Sequence, residues 1–267
     1  MNTVTSKDGT KIAFDKTGSG PAVIIVNGAM QYRAMDPSMA KLAELLSKDF
    51  TVYNYDRRGR GESTDTPPFA KEREIQDLAA LIEDAGGSAM VYGISSGGAL
   101  VLDTAAAVPG ITKIALYEVP FIVNDSRPPV PADYVDHLNQ LVKEDKRDEA
   151  VKYFLVEAVG IPAEYLGGMD QNPLWPRMLD IAHTIAYDGS RVADVMQGKP
   201  LPADRWSKVT MPALLMDGDK SNKGWMGGAA DAIAALLPHA ERRTLDGQDH
   251  NVDSAVIAPI IAEFFKR

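Results

Sequence analysis

The residues of this 267-residue chain that could do chemistry centre on one serine. Residues 93–97 read Gly-Ile-Ser-Ser-Gly and match the pattern G-x-S-x-G, with Ser95 in the middle. An apolar run typical of a strand precedes them and a run of small residues typical of a helix follows, which is the context this pattern requires. Such a tight turn would expose the Ser95 hydroxyl at the edge of a sheet, and the Ser96 N–H at the helix start would face a developing oxyanion. The spacing therefore predicts a serine nucleophile.

A nucleophilic serine needs an imidazole within hydrogen-bond reach to take its proton, and four histidines are available. His137 lies on an amphipathic helix and His239 follows a proline in a polar connection, so we expect both at the surface. His183 lies on a predicted helix beside isoleucines, where it could line a pocket or pack as a structural residue. His250 follows the last predicted strand.

The elements that must position these residues alternate between strand and helix. Apolar runs bounded by turn signals alternate with helical stripes over residues 22–117, which predicts an open, mostly parallel sheet with helices on both faces. The alternation stops over residues 121–205, where prolines separate helical stretches at roughly 132–143, 148–159 and 174–186. It resumes at residue 213. We therefore expect a catalytic core of residues 1–120 and 206–267, with residues 121–205 forming a helical cap over the carboxyl edge of the sheet.

Together these motifs resemble the α/β-hydrolase superfamily over nearly the whole chain. Val-Asn-Gly-Ala at residues 26–29 occupies the place of that family's His-Gly segment, and residues 56–63 are similar to its D-x-R-G-x-G-x-S segment. The resemblance implies an α/β fold with a mostly parallel eight-stranded sheet and a helical cap inserted after the sixth strand. It also implies that His250 is the base and that the Ala29 N–H is a second oxyanion donor, with Gly28 shaping the loop. We interpret residues 56–63 as a structural turn.

The resemblance leaves two possible sequence positions for the acid that orients His250. In many relatives the acid stands three residues beyond a glycine after the seventh strand, and here that position holds a serine, with Asp219 nearby but out of register. Other members, among haloalkane dehalogenases and zearalenone-type lactonases, place it after the sixth strand, where this chain has Glu118. A carboxylate at the end of a buried strand is costly unless it is paired. We therefore favour Glu118 and keep Asp219 as the alternative.

The predicted cap is rich in large apolar and aromatic side chains, some of which should line a substrate pocket over Ser95. Any one of them could instead belong to the core of the cap. The pocket residues we predict are Met30, Phe121, Trp175, Met178, His183 and Trp225. Such a lining predicts an ester or lactone of an apolar or aromatic small molecule as substrate.

Composition excludes several other classes. The absence of cysteine rules out disulfides, thiolate metal sites and a cysteine nucleophile, and a net charge of −9 argues against nucleic-acid and anionic-membrane partners. Neither a Walker loop nor a G-x-G-x-x-G fingerprint occurs, and the carboxylates lack metal-ligand spacing, so we expect no cofactor and no metal.

A polar start without a long apolar run predicts a cytoplasmic protein. Monomer and homodimer both remain open.

These observations predict a serine hydrolase that cleaves a carboxylic ester or lactone through an acyl-enzyme on Ser95. Two alternatives stay open. One is a member of the same fold that carries out perhydrolysis, cyanohydrin cleavage or carbon–carbon bond cleavage. The other is a catalytically weak, ligand-binding member.

Overall fold

The computed structural model describes all 267 residues and contains one eight-stranded sheet. The strand order is β1-β2-β4-β3-β5-β6-β7-β8; β2 pairs antiparallel with β1 and β4, and the remaining pairs are parallel. The strands are β1 (Asn2–Thr5), β2 (Lys11–Gly18), β3 (Ala22–Val26), β4 (Thr51–Tyr55), β5 (Ala89–Ile94), β6 (Ile111–Tyr117), β7 (Ala213–Gly218) and β8 (Ala240–Leu245). The central strands β5 and β7 are buried along their whole length, as expected for parallel strands covered on both faces.

Helices cover both faces of the sheet. They are α1 (Pro37–Leu46), α2 (Lys71–Asp84), α3 (Ser96–Ala107), α4 (Tyr134–Lys143), α5 (Arg147–Phe154), α6 (Trp175–Asp180), α7 (Ile185–Val192), α8 (Gly228–Leu236) and α9 (Ser254–Lys266). The apolar faces of α1 and α9 pack together on one side, and the other side is continuous with the core beneath α4–α7. Asp36 and Asp253 immediately precede α1 and α9, and the carboxylate of each accepts a hydrogen bond from a backbone N–H of the first turn. The predicted α/β-hydrolase fold is therefore confirmed.

Between β6 and β7 the chain forms only helices and turns, α4–α7. The helical stretch predicted over residues 174–186 is interrupted: α6 ends at Asp180 and α7 begins at Ile185. The Thr184 hydroxyl donates to the carbonyl of Ile181, a local side-chain bond that competes with regular helix. The stretch predicted over residues 148–159 is α-helical only as far as Phe154 and continues as a π-helix to Val159. The boundaries of the cap at residues 121 and 205 stay a prediction.

The carboxyl ends of the parallel strands meet at one edge of the sheet. The segments that follow β3, β5, β6 and β8 contain Ala29, Ser95, Glu118 and His250, respectively. In open α/β sheets this edge is where ligands bind. The topology thus collects the residues that the sequence analysis singled out, although they are far apart in the chain.

Candidate active site

Ser95 occupies a strained turn between β5 and α3. Its backbone has φ 55° and ψ −132°, a conformation that L-residues rarely adopt and that costs on the order of 1–3 kcal/mol. The Ser95 N–H donates to the Tyr117 carbonyl at 2.9 Å, which ties the turn to β6. A side chain at Gly97 would place its Cβ 2.4 Å from the Val26 carbonyl oxygen, so only glycine lets the turn approach β3 this closely. The surrounding structure therefore maintains the strained turn.

Glu118 and His250 form a hydrogen-bonded pair. The Glu118 side chain is completely buried, and its Oε2 lies 2.8 Å from Nδ1 of His250. The other carboxylate oxygen, Oε1, accepts from the backbone N–H of Gly218 at 2.9 Å. Both oxygens of this buried carboxylate are thus satisfied, which its burial requires. Because Nδ1 is hydrogen-bonded to the carboxylate, Nε2 is the ring nitrogen that remains free to accept or donate a proton.

His250 faces the cavity that also contains Ser95. Its side chain is 42% exposed, and the loop that carries it is held by the Tyr117 hydroxyl, which donates to the Asp249 carbonyl at 2.6 Å. No hydrogen bond joins the Ser95 hydroxyl to the His250 ring in this structure. Catalytic hydrogen bonds are often long in the absence of substrate and shorten when it binds.

Asp219, the alternative acid, points elsewhere. Its carboxylate accepts from the backbone N–H of Gly247 at 2.7 Å and lies 3.5 Å from the Lys220 ammonium. Neither oxygen contacts His250. The structure therefore pairs His250 with Glu118, and Asp219 stabilises the turn after β8.

Two backbone N–H groups border the cavity beside Ser95. Ser96 begins α3, whose N-terminus carries partial positive charge, and Ala29 lies in the loop after β3. A Cβ built on Gly28 would lie 2.9 Å from the Ser95 Cβ, so that loop passes directly against the serine. The two predicted oxyanion donors, Ala29 and Ser96, therefore both border the cavity that contains Ser95, and Gly28 lies against the serine; their role stays a prediction.

The main cavity has a volume of about 430 Å³ and lies between the sheet edge and α4–α7, the helices between β6 and β7 that we call the helical insert. Met30 and Trp225 line it, as two of the six predicted pocket residues. Much of the rest of the lining is apolar: Ile94, Pro120, Phe154, Ala158, Val159, Val192, Met196 and Met226. Polar groups contributed by Tyr134 and Asp188 also border it.

The other four predicted pocket residues do not line the cavity. Phe121 is fully buried and stacks on Trp206 with ring centroids 5.4 Å apart. Trp175 is buried beneath Lys152, and Met178 packs against the same core. His183 packs edge-on against Tyr187 and lies 3.7 Å from Asp65; burial lowers its pKa. These side chains pack within or against the core that the helical insert shares with the sheet, or against neighbouring loops, and composition alone could not separate such positions from a pocket lining.

A second groove opens beside the main cavity. It has a volume of about 390 Å³ and shares Met30, Gln31, Ile94, His250 and Asn251 with the main cavity. We call it the methionine groove, after Met30, Met35 and Met39. Leu174 and Val252 complete its apolar lining. The cavity and the groove therefore meet at His250.

Sequence reasoning missed a buried ionic network below the cavity. Asp188 of α7 pairs with Arg57 at 2.7 Å and with Arg60 at 2.5 Å, and Arg57 also pairs with Glu74 of α2. Burial alone would raise the pKa of Asp188, but the two guanidinium groups lower it below its usual value. The arginine-rich stretch at residues 57–60 was the available signal, because arginines buried within a turn require buried acids.

None of the helices is long and apolar enough to cross a bilayer. No three side chains of His, Cys, Asp or Glu come close enough together to hold a metal ion.

The fold and this arrangement define a hydrolase class. The sequence profile of the "Alpha/beta hydrolase family" matches residues 23–259, and the chain belongs to that family. The expected class is thus confirmed.

Several known proteins are similar to the chain. The crystal structure of an alpha/beta hydrolase from Sphaerobacter thermophilus DSM 20745 is 47% identical, with a TM-score of 0.90, and covers 99% of this chain and 100% of its own. The enol-lactonase from Burkholderia xenovorans LB400 shares the fold at 21% identity and a TM-score of 0.69, with 100% of both chains covered. A pimeloyl-[acyl-carrier protein] methyl ester esterase from Xanthomonas campestris pv. campestris is 24% identical, over 89% of this chain and 90% of its own.

Proposed function

We propose that this protein is a serine hydrolase that cleaves a carboxylic ester or lactone of an apolar or aromatic small molecule. The observation that carries the proposal is the 2.8 Å contact between Glu118 Oε2 and His250 Nδ1 in the cavity that contains Ser95. A hydroxyl, an imidazole and a carboxylate in this order form the catalytic triad of serine hydrolases. Relatives named as an esterase and an enol-lactonase support the same bond type.

In the proposed mechanism the Ser95 oxygen attacks the carbonyl carbon while His250 Nε2 accepts the hydroxyl proton. Glu118 stabilises the imidazolium that forms, and the N–H groups of Ala29 and Ser96 donate to the tetrahedral oxyanion. Collapse of the intermediate breaks the bond to the alkoxy oxygen, which takes the proton from His250. Water, activated by the same histidine, then hydrolyses the acyl-enzyme and regenerates Ser95.

The two cavities suggest how an ester would lie in the site. His250 protonates the leaving oxygen, so the alcohol portion must lie beside it, where the methionine groove opens. The acyl portion then occupies the main cavity, whose lining is largely apolar. An apolar lining favours substrates that lose little hydration on entry. We therefore propose that the acyl and alcohol portions occupy separate spaces.

The test is a screen of p-nitrophenyl esters of graded acyl length together with several lactones. We expect turnover of apolar esters or lactones by the wild type and a fall of at least about 10³-fold in Ser95→Ala. Undiminished turnover by folded Ser95→Ala would contradict the proposal.

A further inference from the structure

Two buried arginines hold the loop that borders Ser95. We call residues 27–30 the oxyanion loop. Arg60 Nη1 donates to the Gly28 carbonyl oxygen at 2.6 Å, and Arg57 Nη1 donates to the Asn27 carbonyl oxygen at 3.3 Å. Both guanidinium groups are almost wholly shielded from solvent. Two consecutive carbonyl groups of one loop are thus bound by fixed positive charges.

The planarity of the peptide bond makes the Arg60 contact relevant to catalysis. The Gly28 carbonyl and the Ala29 N–H belong to one peptide group, and in a trans peptide they point in opposite directions. An arginine that fixes the carbonyl oxygen therefore fixes the direction of the N–H. The neighbouring Gly28 N–H already donates to Gln31 Oε1 at 2.7 Å, whereas the Ala29 N–H has no acceptor within the protein. The Ala29 N–H is accordingly left for a ligand.

The bond from Arg60 also affects the strength of this donor. A hydrogen bond from a charged group to the carbonyl oxygen polarises the amide, and polarised amides donate more strongly. The added strength matters most when negative charge develops on the acceptor. It should therefore favour the transition state over the bound substrate.

The helical insert holds Arg60 in place. Asp188 of α7 accepts from Arg60 Nη2 at 2.5 Å and from Arg57 Nη1 at 2.7 Å. The Thr184 hydroxyl accepts from Arg60 Nε at 3.1 Å. Because the arginines keep Asp188 ionised, this clamp stays charged at neutral pH. The geometry of the oxyanion loop thus depends on α7.

We infer that Arg60, clamped by Asp188, is a positioning residue that orients the Ala29 N–H for the oxyanion and links the helical insert to the catalytic step. The inference rests on the proposed function. Arg60 does not line the main cavity, so its effect must pass through the Gly28–Ala29 peptide.

The test compares Arg60→Lys with a matched control, Arg58→Lys. A lysine keeps the charge but cannot reach Gly28, Thr184 and Asp188 together. We expect Arg60→Lys to lower kcat by about 10- to 100-fold, to leave KM within about twofold, and to weaken inhibition by an aryl trifluoromethyl ketone in proportion to kcat. Arg58 is equally buried but pairs with Asp8 and Asp77, away from the oxyanion loop. Its lysine variant should lose thermal stability with kcat unchanged.

Asp188→Asn is the second variant, because it keeps the side-chain shape but removes the charge that holds Arg60. We expect a kcat-specific loss of about 10-fold and a parallel loss of ketone affinity. Unchanged kcat in folded Arg60→Lys or Asp188→Asn would overturn the inference, as would equal losses of kcat in Arg60→Lys and Arg58→Lys. These results require an active wild type; a wild type that turns over no ester or lactone would instead contradict the proposed function.

Discussion

The Glu118 carboxylate and the His250 imidazole lie 132 residues apart in the chain and meet at 2.8 Å at the carboxyl edge of the sheet. Glu118 adopts a positive φ of 46° directly after β6, which turns its side chain toward the loop that follows β8. The Gly218 N–H holds the second carboxylate oxygen. This relationship supports Glu118 over Asp219 as the acid that orients His250 and leads to the first prediction.

Glu118→Gln should lower kcat/KM by about 10³- to 10⁴-fold, because an amide cannot stabilise the imidazolium and favours the wrong tautomer of His250. Asp219→Asn is the matched control and should retain activity within about twofold, since Asp219 bonds only to the turn after β8. Steady-state kinetics on one p-nitrophenyl ester checks both variants. The reverse ranking would assign the acid to Asp219.

Trp225→Phe should raise KM for aromatic esters by about 3- to 10-fold, because the Trp225 indole lines the main cavity. The guanidinium carbon of Arg127 lies 4.1 Å from the centroid of this ring. Trp175→Phe serves as the control, since Trp175 is buried outside the cavity and should affect thermal stability rather than KM. Substrate titrations of both variants, with melting curves, make the comparison. Equal changes in KM would contradict the assignment of the main cavity.

Leu174→Trp should narrow the methionine groove and reduce kcat/KM for esters of bulky alcohols by about 10-fold, while methyl esters of the same acid are unaffected. The measurement is a series of esters with one acyl group and alcohols of increasing size. Leu174→Ala, which widens the groove, is the control. A uniform loss across the alcohol series would show that the groove does not bind the leaving group.

His183 should make stability depend on pH. Burial lowers its pKa below 6.5, helped by Arg147 and Arg60, although Asp65 acts in the opposite sense. The unfolded chain therefore binds more protons, so the free energy of unfolding should fall as pH drops through about 6.5. In His183→Gln this part of the decline should vanish, which urea unfolding between about pH 7 and pH 5 can measure. An identical decline of the unfolding free energy in the wild type and in His183→Gln would contradict the assignment of this pH dependence to His183.

The sequence predicted the sheet well because its strands are short apolar runs bounded by turn signals. The G-x-S-x-G turn was recognisable because a tight strand–helix connection imposes glycine at fixed positions, as at Gly97 against Val26. Glu118 was recognisable as a carboxylate at the end of a buried strand. The sequence favoured Glu118 but kept Asp219 as the alternative, because both follow neighbouring strands at the same edge.

The lining of the cavity was less accessible from the sequence. Phe121 and Trp175 are large aromatic residues like Trp225, but they are buried in the core that the helical insert shares with the sheet. The pairing of Asp188 with Arg57 joins residues 131 positions apart, and no local periodicity reports such a contact. The arginines indicated buried acids without indicating which ones.

The central claim is that Ser95 is the nucleophile, and active-site labelling tests it most directly. A fluorophosphonate should react once per chain, the adduct should map by mass spectrometry to the peptide containing Ser95, and ester turnover should disappear in step with labelling. Ser95→Ala should remain unlabelled. Labelling of folded Ser95→Ala at the wild-type extent, or full ester turnover by a protein already labelled at Ser95, would contradict the account.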